Sequence, residues 1–233
     1  MTRHELKESL QHDQFTDTVS HVVNYALADR RRLIRWAVIA GAVLLIAGAA
    51  IWYSSYRRSV RQQDLEAAFA VLNAPVGTTE AAGKSFPTQE AKTKASMKVL
   101  SDVVAKDSGT REGLIAQYYL GTLKAQNQDP KGAESDLRAV ANSSSECAPL
   151  AKIALAQLYT SQNKAAEAQK LLREVVDKPT DLVSKVQAQV LLAQLLQSSN
   201  PQEAKKIVQS LKTPNQSPAV TRALEQISSQ TVK

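Results

Sequence analysis

Residues 36–56 read WAVIAGAVLLIAGAAIWYSSY, with Arg35 before them, Arg57 after them and no charged side chain between. Coiled as an α-helix at about 1.5 Å per residue, such a run covers roughly 31 Å, close to the thickness of a bilayer's hydrocarbon core. Lipid offers a backbone no water to bond, so Gly41, Gly48, Ser54 and Ser55 do not break a helix there as they would elsewhere. Trp36 at one end and Trp52, Tyr53 and Tyr56 at the other match the two interfacial belts, where a ring with one polar edge is best solvated. A single transmembrane helix over residues 34–56 is therefore predicted, with Arg35, Trp36, Trp52, Tyr53, Tyr56 and Arg57 at its interfaces. About 35 residues precede this run, too few to bury a core, and about 177 follow it, enough for one domain.

A cleaved signal peptide is the competing reading, and Ala47-Gly48-Ala49 offers an A-x-A pattern. The segment before the apolar run exceeds 30 residues, too long for a signal's charged region, and the run itself is too long as well. Cations flank the span as Arg30, Arg31, Arg32 and Arg35 on one side and Arg57, Arg58 and Arg61 on the other. Four against three favours a cytoplasmic N-terminus, with the C-terminal domain carried across to the periplasm of a bacterial inner membrane.

The net charge of +7 invites a nucleic-acid reading, but its placement argues against one. Residues 1–35 hold six basic and five acidic side chains, and residues 62–233 hold 20 basic and 17 acidic, interspersed. The excess collects at the mouths of the span, where it suits lipid headgroups better than a phosphate backbone. Nucleic acid is excluded as a partner on this ground.

Residues 1–33 form a short cytoplasmic segment whose apolar positions take helical spacing from Thr18 onward, predicting a short amphipathic helix. Helix continues from Ser59 to Asn73, and residues 74–88, with two prolines and two glycines, read as a loop. Thr88 is a good N-cap for the next helix, whose inward stripe is expected at Ala95, Val99 and Val103. Nothing beyond alternates at period two for long enough to make a strand. The expected class is all-α: the transmembrane helix followed by antiparallel helix pairs over 57–233, in units of about 59–107, 110–143, 148–178 and 183–213, with a capping helix at 217–230.

These units repeat. Leu120, Gly121, Lys124, Ala133, Leu137 and Val140 recur 35 residues later as Leu155, Ala156, Tyr159, Ala168, Leu172 and Val175. They recur again after 36 or 37 residues as Leu192, Ala193, Leu196, Ala204, Val208 and Leu211. The small residue marks a close helix crossing that no larger side chain fits. Each unit resembles the tetratricopeptide repeat, an L-[GA]-x2-Y helix followed by A-x3-[LF]-x2-A and a late proline, here near Pro179 and Pro214. Lys124 replaces the aromatic residue of the first unit, and a serine stands where its proline belongs. In arrays of this kind the first helix of each unit lines a concave groove. The resemblance puts Ile115, Tyr118, Tyr119 and Thr122, then Leu150, Ile153 and Gln157, then Val190 and Gln194, in that groove. Ordinary core packing is the alternative for Ile115 and Leu150. No Lys, Arg and Asn set for clamping a terminal carboxylate is present there, so the groove suits an apolar helix or an unstructured apolar segment of a client protein.

Chemistry is sparse elsewhere. His4, His12 and His21 all precede the span at a spacing that no metal motif uses, so no metal site is predicted. The domain after the span has no histidine, which removes the commonest general base, and it contains no phosphate-binding glycine motif. Cys147 is the only cysteine and has no histidine beside it to activate it. Glu134 and Asp136 lie two apart on a helix and do not face each other. Asn142-Ser143-Ser144 and Asn215-Gln216-Ser217 match the glycosylation triplet, a pattern frequent by chance. No enzyme activity, cofactor or small-molecule substrate is expected.

In arrangement, a short leading helix, one aromatic-bounded span and a degenerate tetratricopeptide domain, the chain resembles the ancillary SecYEG translocon subunit family (YfgM-like). That resemblance implies a periplasmic domain beside the protein-conducting channel, with translocon subunits, periplasmic chaperones and emerging apolar segments as partners. A scaffold for another cell-envelope assembly, such as the cell wall or outer membrane, is the alternative.

Overall fold

The computed structural model describes residues 30–77 and 85–211, together with positions 221, 222, 224, 225 and 227. The amphipathic helix expected within residues 1–33 lies almost wholly outside the described residues, as do Val220 and the middle of the 74–88 loop. The described chain is helical throughout: α1 (Arg30–Leu72), α2 (Gln89–Lys106), α3 (Arg111–Gln126), α4 (Pro130–Ala141), α5 (Ala148–Ser161), α6 (Ala165–Asp177), α7 (Lys185–Ser199) and α8 (Pro201–Leu211). Among these residues there is no strand, only an isolated parallel bridge between Val76 and Phe86. The chain divides into two compact units, Met1–Ser59 and Val60–Lys233.

The helix α1, which begins in the first unit, is long and apolar enough to cross a membrane, and none of its most apolar 18-residue window is buried among the described residues. Leu44, Leu45, Ile46 and Trp52 are each at least 70% exposed. Leaving such a surface in water costs roughly 25 cal/mol for every Å² uncovered, a cost that an apolar cover removes. Trp52 and Tyr56, one turn apart, stack with centroids 6.1 Å apart. The Ser54 hydroxyl donates to the Ile51 carbonyl at 2.9 Å, satisfying a polar group that lipid would leave unpaired.

The second unit is a succession of antiparallel helix pairs, and its caps show why the chain breaks where it does. The side chains of Thr88, Thr110, Asp129 and Ser184 accept hydrogen bonds from Ala91, Gly113, Gly132 and Gln187 N–H groups at 2.9–3.2 Å, satisfying donors that a helix N-terminus leaves open. Asn200 forms a reciprocal box: its carbonyl oxygen accepts from Glu203 N–H at 3.2 Å, and its amide donates to the Glu203 carboxylate at 3.1 Å. Pro130 and Pro201 each open a helix, where a missing N–H costs nothing. The turns between paired helices pass through left-handed residues, Gln128 at φ 60° and Asn163 at φ 61°, which are 35 residues apart at one repeat position.

Packing follows the repeat. A continuous core holds Ala133 and Leu137 of α4, Leu155, Ala156 and Tyr159 of α5, Ala168 and Leu172 of α6, Leu192 and Leu196 of α7, and Ala204 of α8. Gly121 marks the tightest crossing: a Cβ built there would lie 2.8 Å from Leu137 Cγ and 3.2 Å from Asp136 Cβ. The opening pair packs Leu65 and Ala68 of α1 on Leu100 and Val103 of α2 and on Ala116 and Leu120 of α3. The inward stripe of α2 runs through Ser96, Leu100 and Val103, while Ala95 and Val99 are only half-buried. Val103 is thus in the stripe as expected and Val99 packs at its edge, while Ser96 and Leu100, each one residue on from Ala95 and Val99, take the deepest positions. At the far end Leu224 and Ile227 are buried with Val190, Ala193, Val208 and Leu211, and Gln197 donates to the Ile227 carbonyl at 2.9 Å.

Candidate partner groove

The first helices of successive pairs, α3, α5 and α7, carry the candidate groove residues at repeat spacing, so they fall into columns. One column is Tyr118, Ile153 and Val190, and a turn further along each helix comes Thr122, Gln157 and Gln194. The structure separates the two. On α5 and α7, Ile153 and Val190 are buried and Gln157 and Gln194 exposed, while on α3 Tyr118 and Thr122 are alike half-buried. Positions four apart on a helix differ by only about 40° around its axis, which is enough to move a side chain from core to rim.

The exposed column lines two adjoining cavities. One, of about 270 Å³, is formed by Ile153 and Gln157 of α5, Leu172 of α6, and Leu191, Gln194 and Leu195 of α7, with Ala156 and Thr160. The other, of about 280 Å³, is formed by Thr122, Ala125 and Gln126 of α3, Leu137 of α4, and Ala154, Gln157, Leu158 and Ser161 of α5. Gln157 belongs to both, so the cavities make one stripe along which no lining residue is charged. Thr122, Ile153, Gln157 and Gln194 are therefore brought together. Ile115, Tyr118, Tyr119, Leu150 and Val190 are not. Tyr119 meets Phe69 edge-on at 4.9 Å, Ile115 and Tyr118 pack on Val140, Ala141, Cys147 and Ala151, Leu150 packs on the central core, and Val190 faces Val208 and Leu224. Burial pushes the Tyr118 phenol above its ordinary pKa, with Tyr119 and Cys147 adding to the shift.

Leu191, Leu195, Ala125 and Gln126 complete the stripe and were missed in the sequence; Ala125 and Gln126 lie one turn beyond Thr122, and Leu191 and Leu195 directly follow Val190 and Gln194. A further cavity, of about 410 Å³, lies elsewhere, between the loops following α4 and α6. Its rim mixes both charge signs, with Lys152 and Glu174 paired at 2.7 Å, beside Glu146, Lys178 and Asp181.

The residue that departs from the repeat pattern is accommodated by a substitute. Lys124 stands at the aromatic position, and its ammonium lies 2.6 Å from Asp136, a carboxylate that also accepts from the Gln117 amide at 3.3 Å. In the next unit Tyr159 holds that position, donating to Glu134 at 3.0 Å and accepting from Arg138 at 2.5 Å, with the Lys164 ammonium 5.2 Å from its ring centre. Glu134 and Asp136 thus serve two different networks. Cys147 is buried, and its thiol is pushed up in pKa chiefly by that burial and further by the Glu146 carboxylate, the opposite of an activated nucleophile. No group of histidine, cysteine and acidic side chains suited to a metal occurs among the described residues.

Stacked helix pairs with small residues at each crossing and a stripe along the first helices define a tetratricopeptide-like α-solenoid. The sequence profile described as "Tetratricopeptide repeat-like domain" matches residues 32–194, and the chain belongs to that family. Two crystal structures of the Podosopora anserina putative kinesin light chain nearly identical TPR-like repeats share the fold. One, a variant with a single substitution, has 18% identity and TM-score 0.54, covering 73% of this chain and 86% of that one. The other has 16% identity and TM-score 0.50, covering 73% and 92%. No curated protein matches the chain. A domain of this type is a protein-interaction scaffold.

Proposed function

We propose that the chain is a membrane-tethered scaffold acting as an accessory subunit of the Sec translocon, linking the channel to periplasmic chaperones. The observation that carries the reading is the joining, in one chain, of an unburied apolar helix to a repeat domain with an uncharged stripe open to partners. The stripe suits segments without charge, which is the chemistry of clients leaving a translocon before they fold. The N-terminus is cytoplasmic and the repeat domain periplasmic in this reading. Of the cations after the span, Arg61 is engaged 3.3 Å from the buried Glu112 carboxylate, which weakens the positive charge on the side of the repeat domain.

A photo-crosslinking side chain at Gln157, in intact inner membranes, is expected to capture channel subunits or periplasmic chaperones, while the same group at Lys170 on α6 captures neither. Capture of cell-wall or outer-membrane assembly proteins alone would overturn the translocon assignment. A reporter fused after Lys233 that is active only in the cytoplasm would overturn the orientation.

A further inference from the structure

We propose that the turn between α6 and α7, residues 178–186, is a second lipid contact of this chain, taking up a surface of zwitterionic headgroups together with the cavity beside it. This goes beyond the scaffold reading and rests only on its tether, the membrane span.

The turn is built to hold apolar side chains outward. Val183 is fully buried, and Thr180 grips it twice: Thr180 N–H donates to the Val183 carbonyl at 3.0 Å, and the Thr180 hydroxyl oxygen accepts from Val183 N–H at 3.3 Å. Asp181 and Leu182 are left as a fixed tip, with Leu182 48% exposed. Val186, in the first turn of α7, is 37% exposed. Beyond Val60, the only other large apolar side chain so exposed among the described residues is Val76. Leu182 also borders the cavity of about 410 Å³, whose lining includes Ala141, Ala148, Pro149 and Val175. A lone surface leucine needs no explanation; one on a rigid tip, beside an apolar-lined opening and four residues from a second apolar side chain, marks a contact. Charge selects the occupant. Asp177, Lys178, Asp181 and Lys185 carry two charges of each sign, and none of the four side chains is in an ion pair among the described residues. Such a balance gains nothing from an anionic surface and matches headgroups that carry a cation and an anion together. Place selects lipid over protein. Arg61 of α1 pairs with Glu112 at the start of α3, Arg111 with Glu146 before α5, and Lys152 near the start of α5 with Glu174 near the end of α6, at 2.5–3.3 Å. These pairs lead step by step to the turn, which therefore belongs to the end of the repeat domain where α1 enters it. Along α1, five residues, roughly 7.5 Å of helix, separate Arg61 from the interfacial ring of Tyr56.

The test uses the full chain in nanodiscs of phosphatidylcholine, with a small fluorescent amino acid replacing Leu182, Val186, Lys131 or Leu45 in turn. Nitroxide-labelled lipid is expected to quench the probe at 45, inside the span, and the probes at 182 and 186 by at least about twofold. The probe at 131, by the turn between α3 and α4 at the opposite helix ends, is expected to stay unquenched. Exchanging a third of the lipid for phosphatidylglycerol should change none of these values, because the turn's charges balance. Leu182→Ser should lower quenching at 186 by about half or more, with helical circular dichroism unchanged. Quenching at 182 no greater than at 131, with the probe at 45 quenched, would overturn the inference and leave the tether in place. An unquenched probe at 45 would sink the span and the inference with it. Quenching at 182 that appears only with phosphatidylglycerol would show attraction to anionic lipid instead, and undiminished quenching at 186 in Leu182→Ser would show that the leucine does not insert; either overturns the inference. A probe at 182 shielded only after channel or chaperone subunits are added would mark a protein site there, overturning the inference while supporting the scaffold reading.

Discussion

Replacing Lys124 tests whether the departure from the repeat pattern is a defect or a substitute. The Lys124 and Asp136 side chains are 24% and 12% exposed and their charged atoms are 2.6 Å apart, so the pair is mostly removed from water. Lys124→Leu keeps the apolar stem but leaves Asp136 with only the 3.3 Å bond from Gln117. Stranding a fully buried ion costs about 3–5 kcal/mol, and losing a charged hydrogen bond about 1.5–3 kcal/mol. The residual exposure places this site near the lower range, at about 2 kcal/mol. For a domain of this size that corresponds to a fall of roughly 4–8 °C in Tm. Asp136→Leu alone strands the ammonium, which can swing towards solvent, so its cost should be smaller, about 1 kcal/mol. The double Leu variant should recover most of the loss, because replacing both members of a buried pair with apolar groups is close to neutral. Thermal melts of the four proteins in one detergent, followed by helical circular dichroism, give the coupling directly. A double variant whose loss equals the sum of the singles would refute the substitution argument, as would a Lys124→Leu protein that melts with the parent.

Gly121→Ala sets about 1 kcal/mol of added helix propensity against an overpacking cost of about 1–3 kcal/mol at the Leu137 contact, so a net loss of about 1 kcal/mol is expected in urea melts. Ala156→Gly, at the same repeat position one unit on, should lose a similar amount through propensity and a buried methyl. Stabilisation by Gly121→Ala would show that the crossing has slack. Cys147 should alkylate with iodoacetamide more slowly than a free thiol at pH 8, because its raised pKa lowers the thiolate fraction, and the rate should still climb at pH values where a free thiol has levelled off; a rate matching a free thiol in the folded protein would contradict its burial.

The span and the stacked helix pairs were legible because each is written redundantly: a bilayer's thickness of residues without charge, and six positions recurring at 35 to 37 residues. The groove was legible only in part. In a layered array the first helices are buried on more than one side, and hydrophobic spacing identifies faces without saying which of two adjacent columns meets solvent. Tyr118 and Val190 looked suited to an apolar groove and pack inward for that same reason, Ile153 is buried yet still lines a cavity, and Thr122, Gln157 and Gln194 were carried along as neighbours. Lys124 read as degeneracy because its partner, Asp136, sits on another helix and shares no sequence period with it. Arg61 read as one more cation at the membrane because nothing local announces Glu112, 51 residues on. These misses are pairings across helices, to which a one-dimensional pattern is blind.

The dimensions of the stripe bear on why a tether is needed at all. Its cavities, about 270 and 280 Å³, fall below the size of most small-molecule sites, so an unaided affinity no tighter than about 1 mM is expected, too weak to hold a client in free solution. In the proposed setting, confinement beside a channel would raise the local concentration of emerging segments towards the millimolar range, where such a site is substantially filled. Weak binding would then be an advantage, since a client must also be released. A version of the chain with the apolar run of α1 removed should therefore keep its helical melt, yet lose crosslinking at Gln157 by at least about tenfold at equal expression. Crosslinking that persists undiminished would show that the stripe's own affinity suffices and that the membrane span serves some other end.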